Sequence, residues 1–356
     1  MGEHQMRIAV GQFSELTEEM LRFAVQIGVG GVQMNTPRLP GHTHWGAADL
    51  HELVRRCGAH GLTLEAIENV PIPFYDRAML GLSGADEQIA NYQETIRAVG
   101  AAGIPVLGYH FMPNGVWRTS RTTPGRGGVA VTSFDMALVE AAERGGKRDE
   151  IARRDGWING LTGPGDTHGP FPAEAMWANY TAFMRAILPV AREAGVVMAL
   201  HPDDPPVPVA LPLLGGVARL FSEVDGFKRA ERIAEESGAG DAWALDLCLG
   251  CCSEMPGGTK NVTEMIEYFG PRGRVAYVHF RDVQGTMPAF QECFLGEGNW
   301  NPAEIMLLLK RHGFTGFLLD DHVPHMDGDT PWNHRGRAQA IGYMQGLLAM
   351  IERVAA

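Results

Sequence analysis

No run of roughly 18 uninterrupted apolar residues occurs in the chain, so the sequence offers no membrane-spanning helix. Basic charge is also scarce. Thirty Lys and Arg face 42 Asp and Glu, a formal net charge of −12. A nucleic-acid surface needs a basic stripe, so nucleic acid is not an expected partner. A small anionic substrate stays open, because a bound dication and a few local arginines can reverse the field inside one pocket. Cysteine is too sparse and too uneven for a disulfide framework. There are five, and Cys248, Cys251 and Cys252 crowd together while Cys57 and Cys293 stand apart, as suits a reducing compartment. The apolar segment Ile8–Val10 is too short for a signal-peptide core, and a cytoplasmic location is the expectation. Neither a low-complexity tail nor a second domain is evident, so one domain over residues 1–356 is expected.

What is present is an alternation. Apolar residues make up 45% of 356, ample for a large core. Eight short apolar segments recur: Arg7–Phe13, Gly28–Met34, Leu62–Asn69, Ile104–Phe111, Gly195–Pro202, Ala242–Leu249, Val275–Asp282 and Gly316–His322. Their Val, Ile, Leu and Ala content suits strands buried on both faces. Helical patterns separate them, among them Thr17–Ile27, Ala48–His60, Ala85–Gly103, Ala173–Ala194 and Val217–Ser237. Asn301-Pro302 reads as a cap with a first-turn proline, and Gly313 closes that helix. Eight β–α units predict a closed (β/α)₈ TIM barrel, with an open doubly wound sheet as the rival. One connection is abnormally long. Residues 112–172, after the fourth strand, contain loop-like Thr123–Gly128 and Gly160–Gly169 and a predicted helix over Ser133–Arg144. An insertion of that length points to a lid or a subunit interface, and a homo-oligomer is expected.

In such a barrel, polar residues at the ends of strands point into the active site. The last four strands end on His201, Cys248, His279 and Asp321. Side chains alternate along a strand, so His201 shares a face with Val197 and Ala199, and Asp321 with Phe317 and Leu319. Any one of the four could be an ordinary buried side chain. At equivalent positions of four successive strands they predict one metal site. Two imidazoles, a thiolate and a carboxylate suit Mn²⁺, Fe²⁺, Co²⁺ or Zn²⁺ better than Ca²⁺. Asp246 points the same way as Cys248 and competes with it.

Several motifs resemble those of the mannonate dehydratase family, a group of xylose-isomerase-like barrels. His201-Pro202-Asp203-Asp204-Pro205-Pro206 looks like the family's fifth-strand motif. Glu65–Pro71 is similar to its "ESVP" segment, and Asn91–Ile96 to the helix that follows. Tyr109–Pro113 with Trp117-Arg118-Thr119 resembles its "YNFMP…W-T-R-T" stretch. Cys248-Leu249-Gly250 and His279–Asp282 match "CTG" and "H-F-R-N", and Asp321-His322 sits where the family has "PDHGR". The resemblance implies that His201, Cys248, His279 and Asp321 hold Mn²⁺ or Fe²⁺, with Co²⁺ also compatible. It implies conversion of D-mannonate to 2-keto-3-deoxy-D-gluconate with loss of water. This chain departs from the pattern at His110 and Val116, for Asn and Asp, and at Val323 and Pro324, for Gly and Arg. Trp332 falls where the family has a tyrosine, and an indole has no proton titrating near neutral pH.

Dehydrating a sugar acid requires removing a carbon-bound proton beside the carboxylate and expelling a neighbouring hydroxyl, through an enediolate that the metal stabilises. A positioned acid and base are then needed. His322 is the first candidate, with the alternative role of a hydrogen-bonder to a ligand. His325 and His334 are candidates for the group that Trp332 cannot supply. Arg281 and Arg118 suit bidentate capture of the substrate carboxylate, Glu68 suits hydroxyl or ligand-histidine binding, and Trp117 suits stacking on the sugar. His110, Asp203 and Trp332 complete the expected substrate wall. Leu295–Trp300 reads like the "GEG" loop of sugar isomerases and epimerases, so isomerisation, epimerisation or another carbon–oxygen lyase reaction on a different carbohydrate is the alternative. A sugar-binding barrel without turnover is the third reading.

Overall fold

A computed structural model describes residues 6–147, 149–157, 161, 169–211 and 215–354. Its centre is a closed barrel of eight parallel strands. In chain order these are β1 (Arg7–Phe13), β2 (Gly31–Asn35), β3 (Thr63–Glu68), β4 (Val106–Tyr109), β7 (Val197–Leu200), β8 (Trp243–Cys248), β9 (Val275–His279) and β12 (Phe317–Leu319). β12 pairs with β1 through Arg7 and Ile8, which closes the ring and excludes the open sheet. Ala9, Ala66, Val106, Ala199, Tyr277, Phe317 and Leu319 fill the interior. The alternation expected for His201 and Asp321 is thus borne out, since their same-face neighbours are interior residues.

The helices form the outer layer. The helix Ala173–Ala194 buries Met176, Tyr180, Phe183, Met184, Ile187, Leu188 and Ala191, a spacing of three and four that makes one apolar stripe. Burying each large side chain contributes about 1.5–3 kcal/mol. This stripe packs against the helix Ala85–Ala101, and a Cβ at Gly100 would collide with the Ala194 carbonyl. Asn301 caps the helix Pro302–Arg311 as expected, accepting from the Ala303 and Glu304 N–H groups, and Gly313 follows with φ 78°.

Two connections at the C-terminal end of the barrel join into a second sheet. β5 (Ser120–Pro124) and β6 (Ala130–Asp135) come from the insertion, and β10 (Val283–Thr286) and β11 (Ala289–Glu292) follow β9. They pair antiparallel in the order β10-β11-β6-β5. Trp117, Phe134, Val139, Val207, Val283 and Phe290 form its small core, with Phe134 stacked on Phe290 at 5.6 Å. Several sequence expectations change here. Ser133–Asp135 end β6 because they pair with β11, and the helix runs only over Met136–Gly145, capped by Asp135. Thr123 and Pro124 close β5, and only Gly125–Gly128 is a turn. Of Gly160–Gly169, only Leu161 and Gly169 lie among the described residues. The helix expected over Val217–Ser237 starts at Val224, because the Ala218 N–H bonds to the Phe171 carbonyl and Arg219 is buried under the insertion. No helix among the described residues is long and apolar enough to cross a membrane.

Candidate metal centre and active site

The four strand-end donors converge. Cys248 and His279 end the paired strands β8 and β9, His201 follows β7, and Asp321 lies two residues beyond β12. Their ligand atoms all lie within 4.8 Å of one another, and all four residues are buried. His201 Nδ1 sits 2.7 Å from the Pro202 carbonyl, which makes Nδ1 the donor and leaves Nε2 to ligate. Both ring nitrogens of His279 are buried without a well-aligned hydrogen bond, Nε2 facing Glu68 at 3.1 Å and Nδ1 lying 3.6 Å from Asp321. An unsatisfied buried polar group costs about 1–3 kcal/mol, so an imidazole placed this way fits a metal ligand. Burial works against a charged Cys248. The Cys251 thiol, the Arg281 guanidinium and the two imidazoles nevertheless hold it well below the ordinary thiol range. A thiolate, two imidazoles and a carboxylate therefore fit a divalent transition ion.

Glu68 and Asp246 stand on the other side of His279, 3.1 and 3.5 Å from Nε2. They make a second possible set with the same two histidines. The Tyr277 hydroxyl already occupies one Asp246 oxygen at 2.9 Å. Burial raises Asp246 to about 7, against the pull of His279 and His201. The geometry favours Cys248 as the ligand, with Glu68 and Asp246 orienting His279 from behind. Cys248→Ser should then lose metal on dialysis that the wild type retains, as read by elemental analysis. Undiminished metal in that variant, with loss in Asp246→Asn, would transfer the site to the second set.

A cavity of about 580 Å³ opens on this cluster. His110, His201, Asp204, Asp321, His322 and Arg337 are among the residues that line it. His322 Nδ1 is 2.8 Å from Glu292 Oε1, and its Nε2 lies 3.8 Å from Asp321. Burial lowers its pKa, but Asp321 and Glu292 overcome burial and Arg281 to raise it. His110 accepts the Met112 N–H at Nδ1, and burial, with His201 and Arg219, pushes it down to about 3, so it is neutral.

Known proteins match this chain over most of its length. The model of the D-mannonate dehydratase (UxuA) family matches residues 6–356. This chain belongs to the D-mannonate dehydratase family. The mannonate dehydratase of Geobacillus thermodenitrificans is 29% identical over 348 residues, 91% of this chain and 89% of that protein. The crystal structure of the Streptococcus suis serotype 2 mannonate dehydratase superposes with a TM-score of 0.80 at 26% identity, covering 99% of this chain and 96% of that one. An L-ribulose 3-epimerase shares the fold alone, at 15% identity and a TM-score of 0.59.

Within this family member the other expected site residues divide. Glu68, His110 and His322 line the cavity. Arg118 and Arg281 do not, and neither is free to capture a substrate carboxylate. Arg281 meets Asp321 at 2.9 Å and Asp204, Glu254 and Glu292 each at 3.0 Å. Arg118, fully buried, grips both Asp204 oxygens and reaches Glu292 at 3.1 Å. Burial opposes the charge of Asp204, yet these two guanidinium groups hold it well below the usual carboxylate range. Trp117 packs in the core of the small sheet beneath the Arg219 guanidinium. Asp203 accepts the Phe221 N–H at 2.6 Å and ties down the loop after β7, away from the cavity.

Trp332 stacks on Phe13 at 4.7 Å and donates to the Gln12 carbonyl, outside the cavity lining. His334 packs edge-on against Phe23 and Trp332. His325 is exposed, held by Asn333 and by its N–H to the Ala130 carbonyl. None of the three lines the cavity, contrary to the expectation from the sequence. Sequence reasoning missed Arg337, which lines the cavity and pairs with Asp320 at 2.5 Å. It also missed Glu292, whose only signal was its place in a hairpin not read as strands.

Proposed function

We propose that this protein removes water from D-mannonate to give 2-keto-3-deoxy-D-gluconate, using Mn²⁺ or Fe²⁺, with Co²⁺ also compatible. One observation carries the reading. Four buried donors of mixed softness converge at the barrel mouth, beside a histidine open to the same cavity. His201, Cys248, His279 and Asp321 would hold the ion. When bound, it would supply Lewis-acid polarisation of the acid's carboxylate and adjacent hydroxyl.

The chain's own residues do the rest. Glu292 fixes His322 at Nδ1, so Nε2 is left to carry the proton taken from carbon or given to the departing hydroxyl. His110 accepts the Met112 N–H at Nδ1, so its Nε2–H donates to a substrate hydroxyl without adding charge. The buried arginine pairs keep Asp204 ionised in the cavity lining. The names and coverage of the relatives support the choice of D-mannonate, and the mixed N, S and O donors support Mn²⁺ or Fe²⁺ over the oxygen-preferring Mg²⁺.

The test is product formation. Manganese-loaded protein and D-mannonate should yield a 2-keto-3-deoxy acid, seen by NMR. Activity should vanish on chelation and return with Mn²⁺ or Fe²⁺ but poorly with Mg²⁺. Full turnover after verified metal removal would refute the metal requirement, and no keto-deoxy acid would refute the substrate.

A further inference from the structure

The cavity wall at the ends of β1, β2 and β3 is built from an unusual backbone. Gln12, Thr36 and Asn69 follow or end β1, β2 and β3, three adjacent strands, and all three line the cavity. All three have left-handed φ, of 68°, 43° and 63°. Non-glycine residues rarely adopt this conformation, and a β-branched threonine is a genuine outlier. Such strain persists where the surrounding structure imposes it, commonly at ligand sites.

Their side chains are joined through one carboxylate. Glu68 accepts from Gln12 Nε2 at 2.9 Å, from Asn35 Nδ2 at 3.3 Å, from Asn69 Nδ2 at 3.4 Å and from Gln33 Nε2. A carboxylate next to His279 takes hydrogen bonds and gives none, so it fixes which end of each amide faces it. Gln12 Oε1 then accepts from Asn35, and Asn35 Oδ1 from the Thr36 hydroxyl. Asn69 Oδ1 is left buried without a partner at the cavity wall. The shelf formed by Gln12, Asn35, Thr36 and Asn69 carries no charge. The guanidinium of Arg337, in the same cavity, is paired with Asp320.

We propose that this amide–hydroxyl shelf is the specificity-determining wall for the part of the substrate remote from the reacting carbons. It recognises an uncharged chain of hydroxyl groups, with Asn69 and Thr36 as the discriminating contacts. It selects a polyhydroxy monocarboxylate over a dicarboxylate or a phosphorylated acid. A phosphate or second carboxylate placed there would meet fixed acceptors and no unpaired cation among the described lining residues. This inference rests on the sugar-acid reading above.

Glycine substitutions give a clean test, because glycine keeps the left-handed backbone and removes only the side chain. In the manganese-loaded protein, Asn69→Gly and Thr36→Gly should each raise the KM for D-mannonate by roughly tenfold, the loss of one good contact. The fall in kcat should be under about threefold, since uniform binding is what is lost. Melting temperature should hold or rise, as strain is relieved. Calorimetric affinity for a four-carbon polyhydroxy acid, which lacks the remote hydroxyls, should be unchanged. Wild-type protein should bind D-mannarate and 6-phospho-D-mannonate at least about tenfold more weakly than D-mannonate.

Calorimetry needs no turnover, so it separates the two ideas. Binding of D-mannonate that depends on Asn69, without dehydration, would overturn the proposed reaction and support the shelf. Dehydration with unchanged KM in both variants would overturn the shelf alone. Equal losses for long and short acids, or equal wild-type affinity for the dianionic acids, would also overturn it. No binding by any acid of the series would overturn both.

Discussion

His322→Ala should lower D-mannonate turnover by about 10²–10⁴-fold, the contribution of a positioned acid or base. Metal content, read by elemental analysis, should not change, because the four donors do not include His322. Stability should change little. Removing the ring takes one partner from Glu292, but Arg118 and Arg281 still hold that carboxylate at 3.1 and 3.0 Å. The histidine is poised rather than buried inertly. One nitrogen is tied to Glu292, and the other edge opens to the cavity beside Asp321. His325→Ala and His334→Ala provide the contrast, since both residues lie outside the cavity lining and should leave kcat within about threefold of wild type. A His322→Ala protein that keeps its turnover, or loses its metal along with it, would remove His322 from the proton transfer.

Arg281→Ala should destabilise the fold by about 3–5 kcal/mol, the cost of breaking a buried ion pair from one side. The reason is the number of anions left behind. Asp204, Glu254, Glu292 and Asp321 all contact this guanidinium, and all are buried. Arg118 reaches the first three but not Asp321. Burial already raises Glu254 well above the ordinary carboxylate range, so it can take up a proton. Burial opposes the charges of Asp204 and Asp321. Arg118 and Arg281 hold Asp204 below that range, and His322, His279 and Arg281 hold Asp321 below it, so both lose part of that hold with Arg281. Arg281→Lys should recover only part of the loss, because an ammonium is a point donor and cannot reproduce the planar fork. Denaturant midpoints of the metal-free proteins measure both effects without the ion. A loss below about 1 kcal/mol, the worth of an exposed pair, would mean that the cluster relaxes or takes in water. The same cluster joins the small sheet to the barrel, since Glu292 ends β11 and Arg118 precedes β5. The two arginines that the sequence offered for the substrate's carboxylate are thus committed to the protein's own.

The sequence by itself determined the barrel and the convergence of four strand-end donors at its mouth. Eight apolar segments separated by helical patterns have one closed parallel solution, and a period of two along each strand decides which side chains enter the barrel. Those are local rules, so His201, Cys248, His279 and Asp321 were legible, and so was the outcome for Val197, Ala199, Phe317 and Leu319. Membership of the D-mannonate dehydratase family was legible for the same reason, because its motifs sit at strand ends. What only the tertiary structure decided are the pairings between distant segments. β6 and β11 are far apart in sequence, and neither reads as a strand until each supplies the other's hydrogen bonds. Arg118 and Arg281 look like free cations in the sequence, because nothing local shows that Asp204 and Glu292 will meet them. Trp332 aligned with a tyrosine, but its side chain packs on Phe13, from the opposite end of the chain. The shelf of Gln12, Thr36 and Asn69 was invisible, because left-handed backbone at non-glycine residues is imposed by surrounding contacts and not by the residues' own preferences.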